Sequence, residues 1–214
     1  MSAEMVRMMG PALALAASYL LGSVPTGYLL VKWVKRVDVR TIGSGNIGAT
    51  NTARAAGKGL AAVVFIIDVV KGLVPALVFA RAGWPGGGIV AQVACGACAV
   101  VGHIFPVFLG FNGGKGVATA IGFMAGTSPM GLALFLCVWV AGMGLFGYVS
   151  VGSILAAATI PLSQVIWHQP LAGVLIGAAV AVLIIYRHRL NVQRLIQGKE
   201  HRLSFGGGSR RNDA

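Results

Sequence analysis

The chain has 214 residues, of which 57% are hydrophobic and 10% charged, with a mean hydropathy of +0.82. Soluble domains carry about 25% charged residues, so a soluble fold is excluded, and the short alternating segments of a membrane β-barrel are absent. The net charge of +12, from 17 basic against five acidic residues, clusters beside apolar runs without interleaved aromatics. That pattern argues for anionic lipid or substrate and against nucleic acid.

Residues 8–31 are an uncharged run between Arg7 and Lys32, long enough to span about 30 Å of hydrocarbon. The run is too long for a signal peptide and shows no cleavage site, so it is read as a retained first span. GSVPTGY near its end predicts a kinked exit. Residues 32–58 carry Lys32, Lys35, Arg36, Arg40, Arg54 and Lys58 against Asp38 alone, which puts this loop in the cytoplasm by the positive-inside rule. The second span, 59–80, contains Asp68 and Lys71, which share a helix face and can pair. At that depth they should face protein, as a structural pair in preference to a catalytic acid. After a short outer loop, the third span (89–109) returns the chain to a loop around Lys115.

Residues 117–186 contain no Lys, Arg, Asp or Glu. Breaks at Ser128-Pro129, Tyr148-Val149-Ser150 and His168-Gln169-Pro170 divide them into segments 117–126, 130–149, 151–167 and 171–186. The first is too short to cross a bilayer straight and is expected as a half-helix or re-entrant piece. RHRLNVQRLIQGKEHR is basic and hence cytoplasmic. The expected fold is all-α: a polytopic transmembrane helix bundle of about seven spans, including short or broken helices, with the N-terminus outside and the C-terminus cytoplasmic. Residues 1–202 form one integral-membrane domain and 203–214 a disordered cytoplasmic tail. Cys95, Cys98 and Cys137 lie in apolar runs and read as packing residues, although Cys95-Gly-Ala-Cys98 formally matches C-x-x-C.

Two glycine-rich stretches carry the chemistry. In GHIFPVFLGFNGGKGVAT (102–119) Lys115 is the sole charge, set between Gly113-Gly114 and Gly116. Bare backbone lets N–H groups approach an anion that the ammonium neutralises; a flexible connector with a snorkelling lysine is the alternative. Leu109 and Gly116 break the P-loop pattern, so nucleotide hydrolysis is not expected. GSGNIG (43–48) matches G-x-G-x-x-G, with Asp68 about twenty residues on. The dinucleotide reading requires a soluble βαβ unit, and this aspartate lies in a span. An anion site remains, with Ser44, Asn46, Thr50 and Asn51 as neutral donors around Gly45 and Arg54 as a bidentate fork. A helix start capped by Thr50 or Asn51 is compatible with it.

His103 is a candidate general base or a helix-end histidine bonded to a carbonyl. His188 and Asn191, one turn apart beside Arg187, Arg189 and Arg194, suit substrate binding or an interfacial anchor. Ser150 and Ser153 suit a ligand at the inner mouth, or helix packing. His168 and His201 read as surface residues. No ligand cluster calls for a metal.

The segments GSVPTGY, IGSGNIGATNTAR, DVVKG, GHIFPVFLGFNGGKGVAT and RHRLNVQRLIQGKE, in this order and spacing, resemble the bacterial membrane glycerol-3-phosphate acyltransferases that take acyl phosphate as donor. The resemblance covers about residues 20–202 and is loosest around Ser150 to Ser153; Asn112 stands where lysine is commoner, which would weaken one phosphate contact. It implies attack of the primary hydroxyl of glycerol 3-phosphate on the acyl carbonyl, giving 1-acyl-glycerol 3-phosphate (lysophosphatidic acid) and phosphate. For that reaction the residues themselves suggest Arg54 and Lys115 for the phosphates and Ser44, Asn46, Ser153 and Asn191 for hydrogen bonds to them or to the glycerol, with Gly45, Thr50, Asn51, Gly113, Gly114 and Gly116 completing the binding loops. Lys115 joins His103 and His188 as catalytic candidates; either histidine, or the acceptor's own phosphate, would serve as base.

No Ser–His–Asp arrangement is present, so no acyl-enzyme is expected. The H-x-x-x-x-D pair of acyl-CoA enzymes is also missing, with Phe108, Gly173, Gln193 and Gly206 at the corresponding positions. The resemblance implies no cofactor, a place in the bacterial cytoplasmic (inner) membrane with the site on the cytoplasmic side, and coupling to an enzyme that makes acyl phosphate. The competing reading is a membrane transporter of a phosphate ester.

Overall fold

A computed structural model describes residues 3–84 and 86–203. The expected tail falls, from residue 204 on, outside the described residues. All regular structure among the described residues is helical, as a bilayer demands of a chain that must satisfy its backbone within each segment.

Helices α1 (Ala3–Ser23) and α2 (Thr26–Lys35) form one long apolar segment broken at Val24-Pro25. Pro25 has no N–H to continue the ladder. The Lys71 ammonium, reaching across from the next span, donates to the Val24 carbonyl at this break. A 3₁₀ turn (Val39–Thr41) leads to α3 (Ala49–Ala56), then α4 (Lys58–Val74), a π-helical turn over Pro75–Phe79, and α5 (Ala80–Gly83). The π turn sits where Pro75 removes a backbone donor from the helix. α6 (Gly88–Ile104), a 3₁₀ turn (Val107–Leu109), α7 (Val117–Thr127), α8 (Pro129–Phe146), α9 (Val149–Ile166), α10 (Leu171–Arg187) and α11 (Arg189–Ile196) complete the order, with a 46° bend between the last two.

Five segments are long and apolar enough to cross a membrane, and the α10–α11 pair makes a sixth. α7 is the short passage expected from the sequence. Its 11 residues reach about 16 Å at 1.5 Å per residue. α7 is shielded from lipid, with residues 119–124 buried, and it ends at Ser128, whose hydroxyl caps α8 by accepting from Gly131 N–H at 3.2 Å. The largest buried side chains, among them Phe123, Phe135, Ile104 and Ile184, tie α6 to α10 around it.

Small residues let α4 and α7 cross backbone to backbone. A Cβ on Gly72 would meet the Thr119 carbonyl and Phe123 N, and one on Gly122 would meet the Val69 carbonyl and Leu73 N. Beside this crossing Asp68 and Lys71 form the expected ion pair, Nζ to Oδ1 2.8 Å, both side chains about 3% exposed. Cys95 is buried, Cys98 half-buried and Cys137 exposed, and all are free thiols.

Gly122→Leu should force the crossing apart. Overpacking of this kind costs about 1–3 kcal/mol, so the thermal midpoint in detergent is expected to fall by several degrees. Gly59→Leu, with open space around its Cβ, should leave the midpoint unchanged.

Candidate functional site

At one end of the bundle the loop before α3, the α6–α7 loop, the start of α9 and the α10–α11 bend enclose a cleft of about 940 Å³, part of it open to solvent. Asp68 and Phe65 of α4 and His103 of α6 line its depth.

The first wall is the loop before α3. Asn51 accepts from Ser44 N–H at 2.9 Å and donates to the carbonyls of Val39 (3.0 Å) and Ile42 (2.9 Å). Its amide is therefore spent on pinning the loop and has no donor left for a ligand, contrary to the sequence expectation. Neither Thr50 nor Asn51 caps the helix: Gly48 is the N-cap, and its N–H donates to Asn46 Oδ1 at 2.8 Å. Gly45 turns the chain at φ +70° and gives its N–H to the Ile42 carbonyl, outside the cleft lining. What faces the cleft is the start of α3, with Ala49 and Thr50, whose N–H groups are bonded to no described residue. Ser44, Asn46 and Arg54 line the same wall. A helix N-terminus with its first donors free is an anion site.

The second wall is the Lys115 loop, and here the glycines do something other than cradle an anion. Gly113 N–H donates to the Ile104 carbonyl (3.2 Å) and Gly114 N–H to the His103 carbonyl (3.0 Å), satisfying the open end of α6. Arg187 binds the other side of the same residues, donating from Nη2 to the Gly113 carbonyl at 2.8 Å and from Nε to the Gly114 carbonyl at 3.2 Å. A Cβ on Gly114 would overlap His103 Nε2, so glycine is required for the loop to lie on that ring. Gly113 and Gly114 thus stay out of the cleft lining. Gly116, at φ +86°, opens α7, and its first residues face the cleft. Asn112 is exposed, bonded to the Gly110 carbonyl at 3.0 Å and outside the cleft lining.

Lys115 itself projects inward, Nζ 2.6 Å from Asn191 Oδ1. Burial pushes its ammonium down to about 8; Glu200 pulls in the opposite direction, while Arg194, Arg54 and Arg187 add to the fall.

The third wall comes from the α10–α11 bend. His188 Nδ1 lies 2.8 Å from the Ile184 carbonyl; a carbonyl only accepts, so Nδ1 carries the proton and Nε2 is the ring atom left for the cleft. Asn191, one turn on, links Lys115 to Glu200, donating to Oε1 at 2.6 Å. Glu200, which the sequence reading did not single out, also accepts from Ser150 Oγ (3.0 Å) and Arg194 Nε (2.8 Å). Burial disfavours its charge, but those hydrogen bonds from Arg194, Asn191 and Ser150 hold its carboxyl below the usual range. The signal was present: Glu200 is the lone acid in a basic run, just after Gly198 turns the chain at φ +67°.

On α9, Ser153 donates to the Val149 carbonyl (2.8 Å) and accepts from the indole N–H of Trp139 (3.1 Å). Its hydroxyl can therefore only accept from a ligand. His103 is buried, its ring against Gly114 and its Nδ1 3.8 Å from Asp68 Oδ1. That placement suits support of the Lys115 loop better than proton abstraction. His168 is an exposed surface residue, and His201 sits exposed at the cleft rim. Among the described residues no group of three His, Cys, Asp or Glu is placed to hold a metal ion.

Three helix N-termini, those of α3, α7 and α9, thus converge on one cleft together with Arg54, Lys115 and Arg194. The arrangement can hold two anionic groups close together and exclude water below them.

A family model described as Glycerol-3-phosphate acyltransferase matches residues 12–198. Relatives of that name include one from Desulforudis audaxviator, 43% identical over 193 residues, covering 90% of this chain and 96% of the relative. One from Synechococcus elongatus is 45% identical over 202 residues, covering 90% and 93%. Among solved structures, PlsY (YgiH), an integral membrane glycerol 3-phosphate acyltransferase, matches in its glycerol 3-phosphate form with TM-score 0.85 and 39% identity, covering 91% of this chain and 96% of that one. Its lysophosphatidic acid form matches with TM-score 0.82 at the same identity, covering 91% and 95%. With the family model matching residues 12–198 and relatives above 40% identity matching 90% of the chain, this chain belongs to the glycerol-3-phosphate acyltransferase family of integral membrane proteins.

Proposed function

We infer that the protein transfers the acyl group of an acyl phosphate to the sn-1 hydroxyl of glycerol 3-phosphate, giving 1-acyl-glycerol 3-phosphate and inorganic phosphate, an early step of phospholipid synthesis. The observation that carries this reading is the convergence of three helix N-termini with Arg54 and Lys115 at the end of a membrane-spanning bundle. Both substrates bear phosphate, and donor and product bear tails that belong in lipid.

The C1 oxygen of glycerol 3-phosphate attacks the acyl carbonyl carbon. The new ester bond forms, the bond from that carbon to the phosphate oxygen breaks, and phosphate leaves with the electron pair. Arg54 and the α3 N-terminus hold one phosphate, and Lys115 with the α7 N-terminus holds the other. The hydroxyl proton passes to His188 Nε2 or to the acceptor's own phosphate. Phosphate is a good leaving group, so positioning and charge neutralisation supply the acceleration. Ser150 and Ser153 already donate to Glu200 and the Val149 carbonyl, which supports direct transfer without an acyl-enzyme.

Sidedness follows from charge. Arg36, Arg40, Lys58, Arg189, Lys199 and Arg202 flank the cleft end of the bundle, against Arg7 and Arg81 at the far end. The positive-inside rule then puts the cleft on the cytoplasmic side of the bacterial inner membrane and the N-terminus outside. An enzyme that makes acyl phosphate on that side would be its functional partner. Of Asp68 and Lys71, the charges a phosphate-ester transporter would use for coupling, the lysine is closed on Asp68 Oδ1 and the Val24 carbonyl, which argues against transport.

Detergent-purified protein given acyl phosphate and glycerol 3-phosphate should release phosphate and form lysophosphatidate in equal amounts, with no product from acyl-CoA. Lys115→Ala is expected to lower kcat/KM on the order of 100-fold or more, the scale for removing one charge-stabilising donor. No product from acyl phosphate with folded protein would overturn the reading.

Because Lys115 titrates near 8, its charge is present below that pH and lost above it. The kcat/KM of the wild type, which reports the free enzyme, should fall as pH rises through about 8. Lys115→Arg, charged throughout, should be slower at neutral pH but lose that alkaline decline.

A further inference from the structure

The cleft is built for anions, yet a carboxylate lines its depth. Asp68 is 2% exposed; its Oδ1 accepts from Lys71 at 2.8 Å and stands 3.8 Å from His103 Nδ1, and its Oδ2 accepts from no described residue. The ion pair explains how an acid is tolerated at this depth. It does not explain why the acid faces the cleft.

The acceptor substrate supplies the reason. Glycerol 3-phosphate carries two hydroxyl protons as well as a phosphate, and each needs an acceptor or is buried at a penalty; Ser153 Oγ and His188 Nε2 are neutral acceptors on the walls, and a carboxylate is the stronger one. The C1 hydroxyl must face the acyl carbonyl in order to react. The C2 hydroxyl remains. Among the described residues lining the cleft, the carboxylates are Asp68 and Glu200, and Glu200 already takes Asn191, Ser150 and Arg194. Asp68 Oδ2 is the carboxylate oxygen left open.

We propose that Asp68 accepts the C2 hydroxyl of glycerol 3-phosphate and is a specificity-determining residue that selects polyol phosphates and directs the C1 hydroxyl to the donor. Lys71 fixes the carboxylate through Oδ1, and His103 packs beside it. This contact rests on the acyl-transfer reading above and adds to it a reason for the acid at the cleft floor.

The test compares two acceptors, glycerol 3-phosphate and 3-hydroxypropyl phosphate, which keeps the primary hydroxyl and the phosphate but lacks the C2 hydroxyl. The wild type should prefer glycerol 3-phosphate in kcat/KM by roughly 10- to 100-fold, the scale of a hydrogen bond to a charged group. In Asp68→Asn the amide carbonyl turns to Lys71 and its NH₂ to the cleft, so the preference should shrink to within about threefold, through loss with glycerol 3-phosphate. Asp68→Leu/Lys71→Met removes the pair as a unit, a change that spares the fold an unpaired buried charge, and should show the same collapse. A wild type without the preference, or a preference retained in either variant, would overturn the proposal. Acylation of neither acceptor by the wild type would instead bring down the acyl-transfer reading, and this contact with it.

Discussion

A loop that sits at the edge of a bilayer cannot leave its backbone polar groups unpaired, and the segment around Lys115 is shaped by that constraint. The open carbonyls of α6 at His103 and Ile104 take the N–H groups of Gly114 and Gly113, and Arg187 takes the carbonyls of the same two glycines. With its backbone hydrogen-bonded from both sides, the loop presents Lys115 to the cleft. That lysine arrives next to the free start of α7, where an anion can meet both an ammonium and a helix dipole.

The same logic runs through the other walls. Asn51 closes the loop before α3 so that the helix itself begins with free donors. Glu200 gathers Asn191 and Arg194 of α11 and Ser150 of α9 and so ties the two helices together. Buried side-chain networks of this kind are worth having only when every member is satisfied. The groups left open in the cleft are therefore informative: the N-termini of α3, α7 and α9, Arg54, Lys115, the Ser153 hydroxyl oxygen, His188 Nε2 and one oxygen of Asp68. Donors for phosphate outnumber acceptors, as two phosphorylated substrates require.

Much of the fold was legible because hydropathy and helix breakers act locally. The spans, the break at Val24-Pro25, the short α7 and the pairing of Asp68 with Lys71 all follow from residues within a turn or two of each other. The site was legible in part. Arg54, Lys115, His188 and Asn191 do meet in one cleft, as the common sidedness of their loops suggested. The division of labour among the polar residues was not readable, because it depends on partners far apart in sequence. Arg187 meets Gly113, Trp139 meets Ser153, and Glu200 meets Ser150. A glycine-rich stretch looks the same in sequence whether its N–H groups face a ligand or a neighbouring helix end. Gly113 and Gly114 face the helix end.

The account's central claim is direct transfer between two phosphate-bearing substrates held together in this cleft. The most direct measurement incubates purified protein with acyl phosphate labelled in its acyl group, first alone and then with glycerol 3-phosphate. No label should become covalently attached to protein in the first step, and in the second all transferred label should appear in lysophosphatidate with one phosphate released per product. Label fixed on the protein before the acceptor is added, and chased from it afterwards, would contradict the account.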